Sequence, residues 1–533
     1  MSSKNTLSIV LACHLPYIRY HDTLTHADET QLFQSISFTY IPLLQMLERL
    51  DADCVPFRLA IALSPTLAAM LDDGALIEKY LRYIDAQIAF GRQELERTKN
   101  KHNDALWSLA QHYHDTFVER RLLFIEKYEK NICAAFNLWR KKGRLEILST
   151  AATHCFLPFY SAYPGNVQAQ IETALGEYDR LFGGSPAGFW PPELGWYEQF
   201  DKTLAAYGFH YTIISAHTAA LAAPPAASGS FRPLRTPAGI FLLVRDHYAH
   251  KEIEGGPDAA GRDGTYCDYS EDIGYKLDAG AVKDFLSAEG GRCMTGYSYL
   301  GIGDKDHVYD IRAAHACAEN HARAFLKTRA AALAKARSLT RGAAVSLCAW
   351  NADNLGKFWR EGFVFLEQLF RAGETETSFG FATPSEYLCR EDSRAFQTVR
   401  PGFSSQAANG YGEAFLNKHN DWIYRHIFHA TERMIALARR IEDKGMRERS
   451  LNQAARELLL AQNSDFARFE TRHDAGAVSN EERIISHLRN FTTLYEALGG
   501  DCLSTKLLTT LEKNTPVFPA LDYRMFRDTS RPL

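Results

Sequence analysis

Ten cysteines are scattered through the 533-residue chain without a CxxC pair, and no long apolar run or marked excess of one charge occurs. Scattered thiols exclude a dense disulfide framework and a cysteine-rich zinc module, and they fit a reducing, cytoplasmic compartment. With 60 Lys+Arg against 64 Asp+Glu and a formal net charge of −4, there is no basic footprint for nucleic acid or a membrane surface. The apolar opening "LSIVLAC" breaks at His14 and Pro16 and lacks a small-residue cleavage signature, so it reads as a first strand rather than a leader. "EGGP" and "GGRCMTG" have neither the lysine nor the spacing of a phosphate loop. His210 with His217, and His247 with His250, have no cysteine or carboxylate partner in a metal-binding pattern, so no metal is expected.

What the sequence does have is a series of short apolar runs, each ending in a polar residue. "LSIVLACH" ends at His14, "RLEILSTAATH" at His154, "GFWPPE" at Glu193, "YTIISAH" at His217, "IFLLVRDH" near Asp246 and "AVSLCAWNAD" at Asp353. Helically periodic segments such as "NVQAQIETALGEYDRLF" lie between them. Strands alternating with helices imply a parallel sheet, and polar groups gathered at the carboxyl ends of strands are what a (β/α) barrel collects at its active face. Residues from about 75 to 143 are charged and helically periodic without a strand, which predicts a helical insertion; after about residue 400 the pattern is amphipathic helix alone.

"GFWPPELGWYEQF", residues 188–200, carries the sharpest local signal. Two prolines stiffen the backbone that presents Glu193. Flanking aromatics suit a sugar site, where flat rings pack on a pyranose and a carboxylate faces the anomeric carbon. On these residues alone, an acidic residue in an aromatic structural turn fits equally well.

Further segments make the chain resemble a known family. "LACHLPYIRY" is similar to the "HxHLPYxRH" opening of glycoside hydrolase family 57, and "GFWPPELGW" to that family's "GFWLPECGY", whose glutamate is the nucleophile. "ATHCFLPF", "EDIGYKL", "MTGYSYLGI", "LNKHNDWIYRHIFHATERM" and "ELLLAQNSDF" resemble its branching-enzyme-like and amylase-like members, in family order, from residue 8 to about 495. The resemblance implies a (β/α)7 barrel over residues 1–400, with the insertion at about 75–143, and an α-helical C-terminal domain over 401–533. It also implies action on α-1,4-glucans or malto-oligosaccharides with retention and without a cofactor, Glu193 being the nucleophile.

The same resemblance exposes departures. The family's acid/base aspartate opens "DAELFGHWWFEG"; the matching stretch is "NADNLGKFWREG", which puts Asn351 in its place. An amide cannot donate and retake a proton at neutral pH. Ala12, Gln406, Phe466 and Lys357 also stand where the family has other residues. Asp353, two residues on, is a possible relocated acid if the strand continues, because alternate strand residues share a face. By resemblance His14 and His154 bind sugar hydroxyls. Trp190, Asp246, Asn351, Trp359 and Asp465 complete the expected binding set, although Asp246 and Asp465 equally suit helix caps and Trp359 a helix core. Two functions follow: a glucan-active enzyme with an impaired or relocated acid/base, or an inactive relative that keeps the cleft as an oligosaccharide-binding or regulatory module.

Overall fold

The computed structural model describes residues 4–100, 103–256, 258–340, 342–442, 444–467, 479–500 and 502–527. The last residues of the expected C-terminal domain, 528–533, and the end of the helical pattern at 468–469 lie outside them.

Seven parallel strands form the centre: β1 (Asn5–Cys13), β2 (Leu59–Leu63), β3 (Leu145–Thr150), β4 (Gly188–Trp190), β5 (Tyr211–Ile214), β6 (Phe241–Val244) and β7 (Val345–Asn351). Their order around the sheet is β7-β1-β2-β3-β4-β5-β6. A parallel bridge between Arg245 and Leu347 joins β6 back to β7, so the curled sheet closes as a (β/α)7 barrel. Both faces of these strands are covered, which is why "LSIVLAC" and "VSLCAW" are continuous apolar runs instead of alternating ones. The register pairs Ala12 with Asn351 at the carboxyl ends of β1 and β7.

Between β2 and β3 the segment without strand signals consists of helices Gly74–Lys99, Asp104–Leu122 and Ile132–Lys141. Asp73, Asn103 and Asn131 cap their N-termini, each side chain accepting backbone N–H bonds. Beyond Gln397–Thr398 the regular elements among the described residues are helices, chiefly Asp421–Arg440, Met446–Ala461 and Asn480–Gly500. The helical C-terminal region reaches back to the barrel mouth, where Asn463 bridges Cys155 and Ser464 donates its hydroxyl to the His154 carbonyl at 2.7 Å.

Candidate active site

A cleft of about 670 Å³ opens at the carboxyl ends of the strands, within the size range of small-ligand sites. It is lined by His14, His154, Trp190, Glu193, Asn351 and Asp465, six of the nine residues singled out from the sequence. Arg245, His250, Glu254, Gln406 and His419 join them.

Glu193 follows β4 directly. The two prolines end the strand, and the chain turns so tightly that Glu193 sits at φ 57°, ψ 21°. His154, after β3, is also in the left-handed region at φ 54°. A side chain held in such backbone costs about 1–3 kcal/mol and persists where the surroundings over-determine it, most often in functional sites. Glu193 is 5% exposed. Gln406 holds it twice: its backbone N–H donates to the Glu193 carbonyl at 2.8 Å, and Nε2 donates to Oε2 at 2.9 Å. Arg245 Nη1 in turn donates to Gln406 Oε1 at 3.0 Å. Gln406, which looked from the sequence like a lost aromatic, thus fixes the candidate nucleophile and couples it to a half-buried cation.

Also in the cleft lining, His14 Nε2 lies 2.6 Å from Asp465 Oδ2, and the His14 and His154 rings stack at 3.9 Å with an 11° interplanar angle. Ligand atoms of this trio fall within 4.8 Å of one another. Stacked rings direct their in-plane lone pairs side by side, however, not toward one point, and the close His14–Asp465 contact already uses one ring nitrogen. The geometry suits binding of neighbouring sugar hydroxyls better than a metal ion.

Three expected site residues belong to the interior instead. Asp353 is 5% exposed and accepts hydroxyl bonds from Ser35 at 2.9 Å and Thr39 at 2.7 Å. The strand ends at Asn351, and Ala352–Leu355 is a 3-10 turn, so alternation does not carry Asp353 to the face of Asn351. Asp246 is fully buried: Oδ1 caps the helix His247–Glu254, while Oδ2 accepts from Arg329 at 2.8 Å and Ser346 at 2.7 Å. Trp359, 2% exposed, packs between Tyr266 and Phe365 with ring centroids 5.3 Å away in each case, and it forms core instead of a stacking wall.

Glu254 escaped the sequence reading. It ends the helix that Asp246 caps, one turn after His250, and Oε1 accepts the backbone N–H of Asn351 at 2.6 Å. His250 Nδ1 lies 3.1 Å from Oε2, an i, i+4 approach not aligned as a hydrogen bond. The Asn351 side chain faces the other way in the hydrogen-bond network, its Oδ1 accepting the Asp353 N–H at 2.9 Å. A carboxylate therefore does reach Asn351, from a neighbouring helix. Burial pulls Arg245 below its ordinary value while Glu254 and Glu193 both push it back up, placing the guanidinium in the field of both acids. The pattern "HKEIE" after a strand carried this signal, a histidine and a glutamate four apart on one helix face.

Residues 8–400 match the sequence profile of glycosyl hydrolase family 57, and residues 426–526 match that of the C-terminal region of 1,4-alpha-glucan branching enzymes. The alpha-amylase AmyC from Thermotoga maritima is 31% identical and superposes with a TM-score of 0.91, covering 99% of this chain and 100% of its own. The 1,4-alpha-glucan branching enzyme of Thermococcus kodakarensis is 25% identical over 516 residues, 93% of this chain and 74% of its own length. A family 57 branching enzyme from Pyrococcus horikoshii shares the fold at TM-score 0.87 and 22% identity, over 100% of this chain and 98% of that one. The family profile spans well over half of the sequence, and the chain belongs to glycosyl hydrolase family 57.

Proposed function

We propose that this protein acts on α-1,4-glucans or malto-oligosaccharides by a retaining, two-step mechanism, with Glu193 as nucleophile and Glu254 as acid/base. Retention needs two carboxylates on one glycosidic bond, roughly 5–5.5 Å apart in known enzymes. The observation that carries the reading is that Glu193 and Glu254 line one cleft, with Arg245 on the same lining and in the field of both. In the first step the Glu193 carboxylate attacks the anomeric carbon while Glu254 gives its proton to the departing oxygen. In the second, Glu254 takes a proton from water or from a glucan hydroxyl, and that oxygen displaces Glu193. Trp190 offers an apolar wall, and His14, His154 and Asp465 supply hydroxyl partners. All ten thiols are free, which supports a cytoplasmic setting. No helix among the described residues is long and apolar enough to cross a membrane.

A rival reading, a cleft that binds glucan without cleaving it, is favoured by one observation: the amide of Asn351 stands where the family's acid is expected and is occupied in a turn. An aryl α-glucoside with a good leaving group and amylose, each with and without azide, separate the two. Glu193→Ala should abolish turnover of both substrates. Glu254→Gln should lose about 10²- to 10⁴-fold on amylose but keep the first step on the aryl glucoside, and azide should restore turnover and release the α-glucosyl azide. Wild-type protein without Glu193-dependent turnover on either substrate establishes the binding-only reading. Equal losses on both substrates in Glu254→Gln, without azide rescue, place the second carboxylate elsewhere.

A further inference from the structure

A second cavity, of about 280 Å³, lies between the inserted helix Asp104–Leu122 and the turn that follows β7, and it shares no lining residue with the cleft. Its walls carry Arg120 and Arg360. The two guanidinium groups stack on the Phe38 ring, their carbons 5.2 Å and 3.6 Å from its centroid. Arg120 Nε, Arg360 Nε and Arg360 Nη2 are buried without a hydrogen-bond partner, and among the described residues neither side chain is ion-paired.

Two acids, Glu119 and Glu361, stand on the same walls, and neither is ion-paired with Arg120 or Arg360. Glu119 accepts a bond from Gln45 at 3.1 Å. Glu361 accepts the Tyr309 hydroxyl through Oε1, while its buried Oε2 has no hydrogen-bond partner; burial raises the carboxyl and the charge of Arg360 works against that rise. Arg49, on the same wall, is committed to Glu367 at 2.6 Å. Burial and the charge of Arg360 pull Arg120 down to about 10, against the weaker opposing pull of Tyr80 and Glu119.

We propose that this cavity is an anion site that takes a phosphate dianion, either free phosphate or the phosphate group of a sugar phosphate. Arginine forks match phosphate oxygens in paired hydrogen bonds, and the two forks approach from separate positions around Phe38. A tetrahedral group can offer oxygens to both, whereas a planar carboxylate presents its two in one plane. Thr116 stands on the same wall and can donate its hydroxyl to a remaining oxygen. Arg360 lies nine positions beyond Asn351 on the segment leaving β7, so an anion held here braces the loop at the cleft's edge.

The test is calorimetric titration of the full-length protein with inorganic phosphate and, separately, with a hexose phosphate, on wild type, Arg120→Gln and Arg360→Gln. Saturable binding is expected, weakened at least tenfold in each variant and falling with added salt. Tighter binding of the hexose phosphate identifies the monoester as ligand, and equal binding identifies free phosphate. Without anion, each variant should melt at or above the wild-type temperature, because one of two repelling cations has gone; with phosphate, the wild type alone should gain several degrees. Absence of saturable binding, binding unchanged in both variants, or variants that melt well below wild type without anion would each overturn the proposal, the last by showing that the arginines are packing elements on Phe38. Glucan turnover does not enter these readouts, so their outcome is independent of the reading of the cleft.

Discussion

Asp353 shows how one residue's role depends on where its strand stops. Counting by twos from Asn351 puts its carboxylate on the cleft face, but the chain leaves the sheet at Asn351 and turns, and the carboxylate meets Ser35 and Thr39 instead. Two buried hydroxyls depend on it. Asp353→Ala should therefore lower unfolding free energy by about 1–3 kcal/mol, as measured in urea, with glucan turnover following only the folded fraction. A well-folded Asp353→Ala protein that lost amylose turnover but kept aryl-glucoside turnover would return the acid role to Asp353. Glu193, by contrast, was legible from the sequence as a candidate because its signal is local: two prolines and an aromatic flank restrict the backbone before any tertiary contact forms. Glu254 was not, since its contact with Asn351 joins positions 97 residues apart.

At the level of elements, the apolar runs announced the barrel strands and their absence announced the inserted helices, because burial on two faces and on one stripe leave different periods in sequence. Side-chain jobs at element ends were harder to read. Asp246 ends a strand and precedes a helix, so from sequence it suited a sugar ligand or a helix cap; capping plus Arg329 and Ser346 consume both its oxygens. That cap sets the entry of the helix that ends at Glu254, so it supports the site from behind. Among the C-terminal helices, Glu457 on Met446–Ala461 is buried, which alone would raise it. Bonds from His487 at 2.7 Å, Asn490 at 3.2 Å and Gln453 at 2.7 Å outweigh burial and hold it below its ordinary value. A carboxylate lowered in the folded state stabilises above its unfolded value and loses that contribution as pH falls through the folded one. The urea midpoint should thus drop between about pH 6 and pH 3, and drop less in Glu457→Gln. Equal drops in both proteins would remove Glu457 from the account.

For the whole molecule, the cleft is built from pieces far apart in sequence: His14 after β1, His154 after β3, Glu193 after β4, Glu254 on the helix after β6, Gln406 and Asp465 from beyond the last strand. Parallel strands make this possible, since each returns its carboxyl end to the same rim. The order of runs along the sequence carried that much. It could not carry barrel closure, which the Arg245–Leu347 bridge makes between β6 and β7, or the reach of the C-terminal region into the mouth.

The central claim is that Glu193 forms the bond to sugar, and the most direct measurement is covalent trapping. Protein incubated with a fluorinated α-glucosyl fluoride, digested with trypsin and analysed by mass spectrometry should carry one fluoroglucosyl group on the peptide of residues 181–202, with fragmentation assigning it to Glu193. A label on residues 252–262, which contain Glu254, would reverse the two roles, and no label with an intact, glucan-binding protein would contradict catalysis at this cleft.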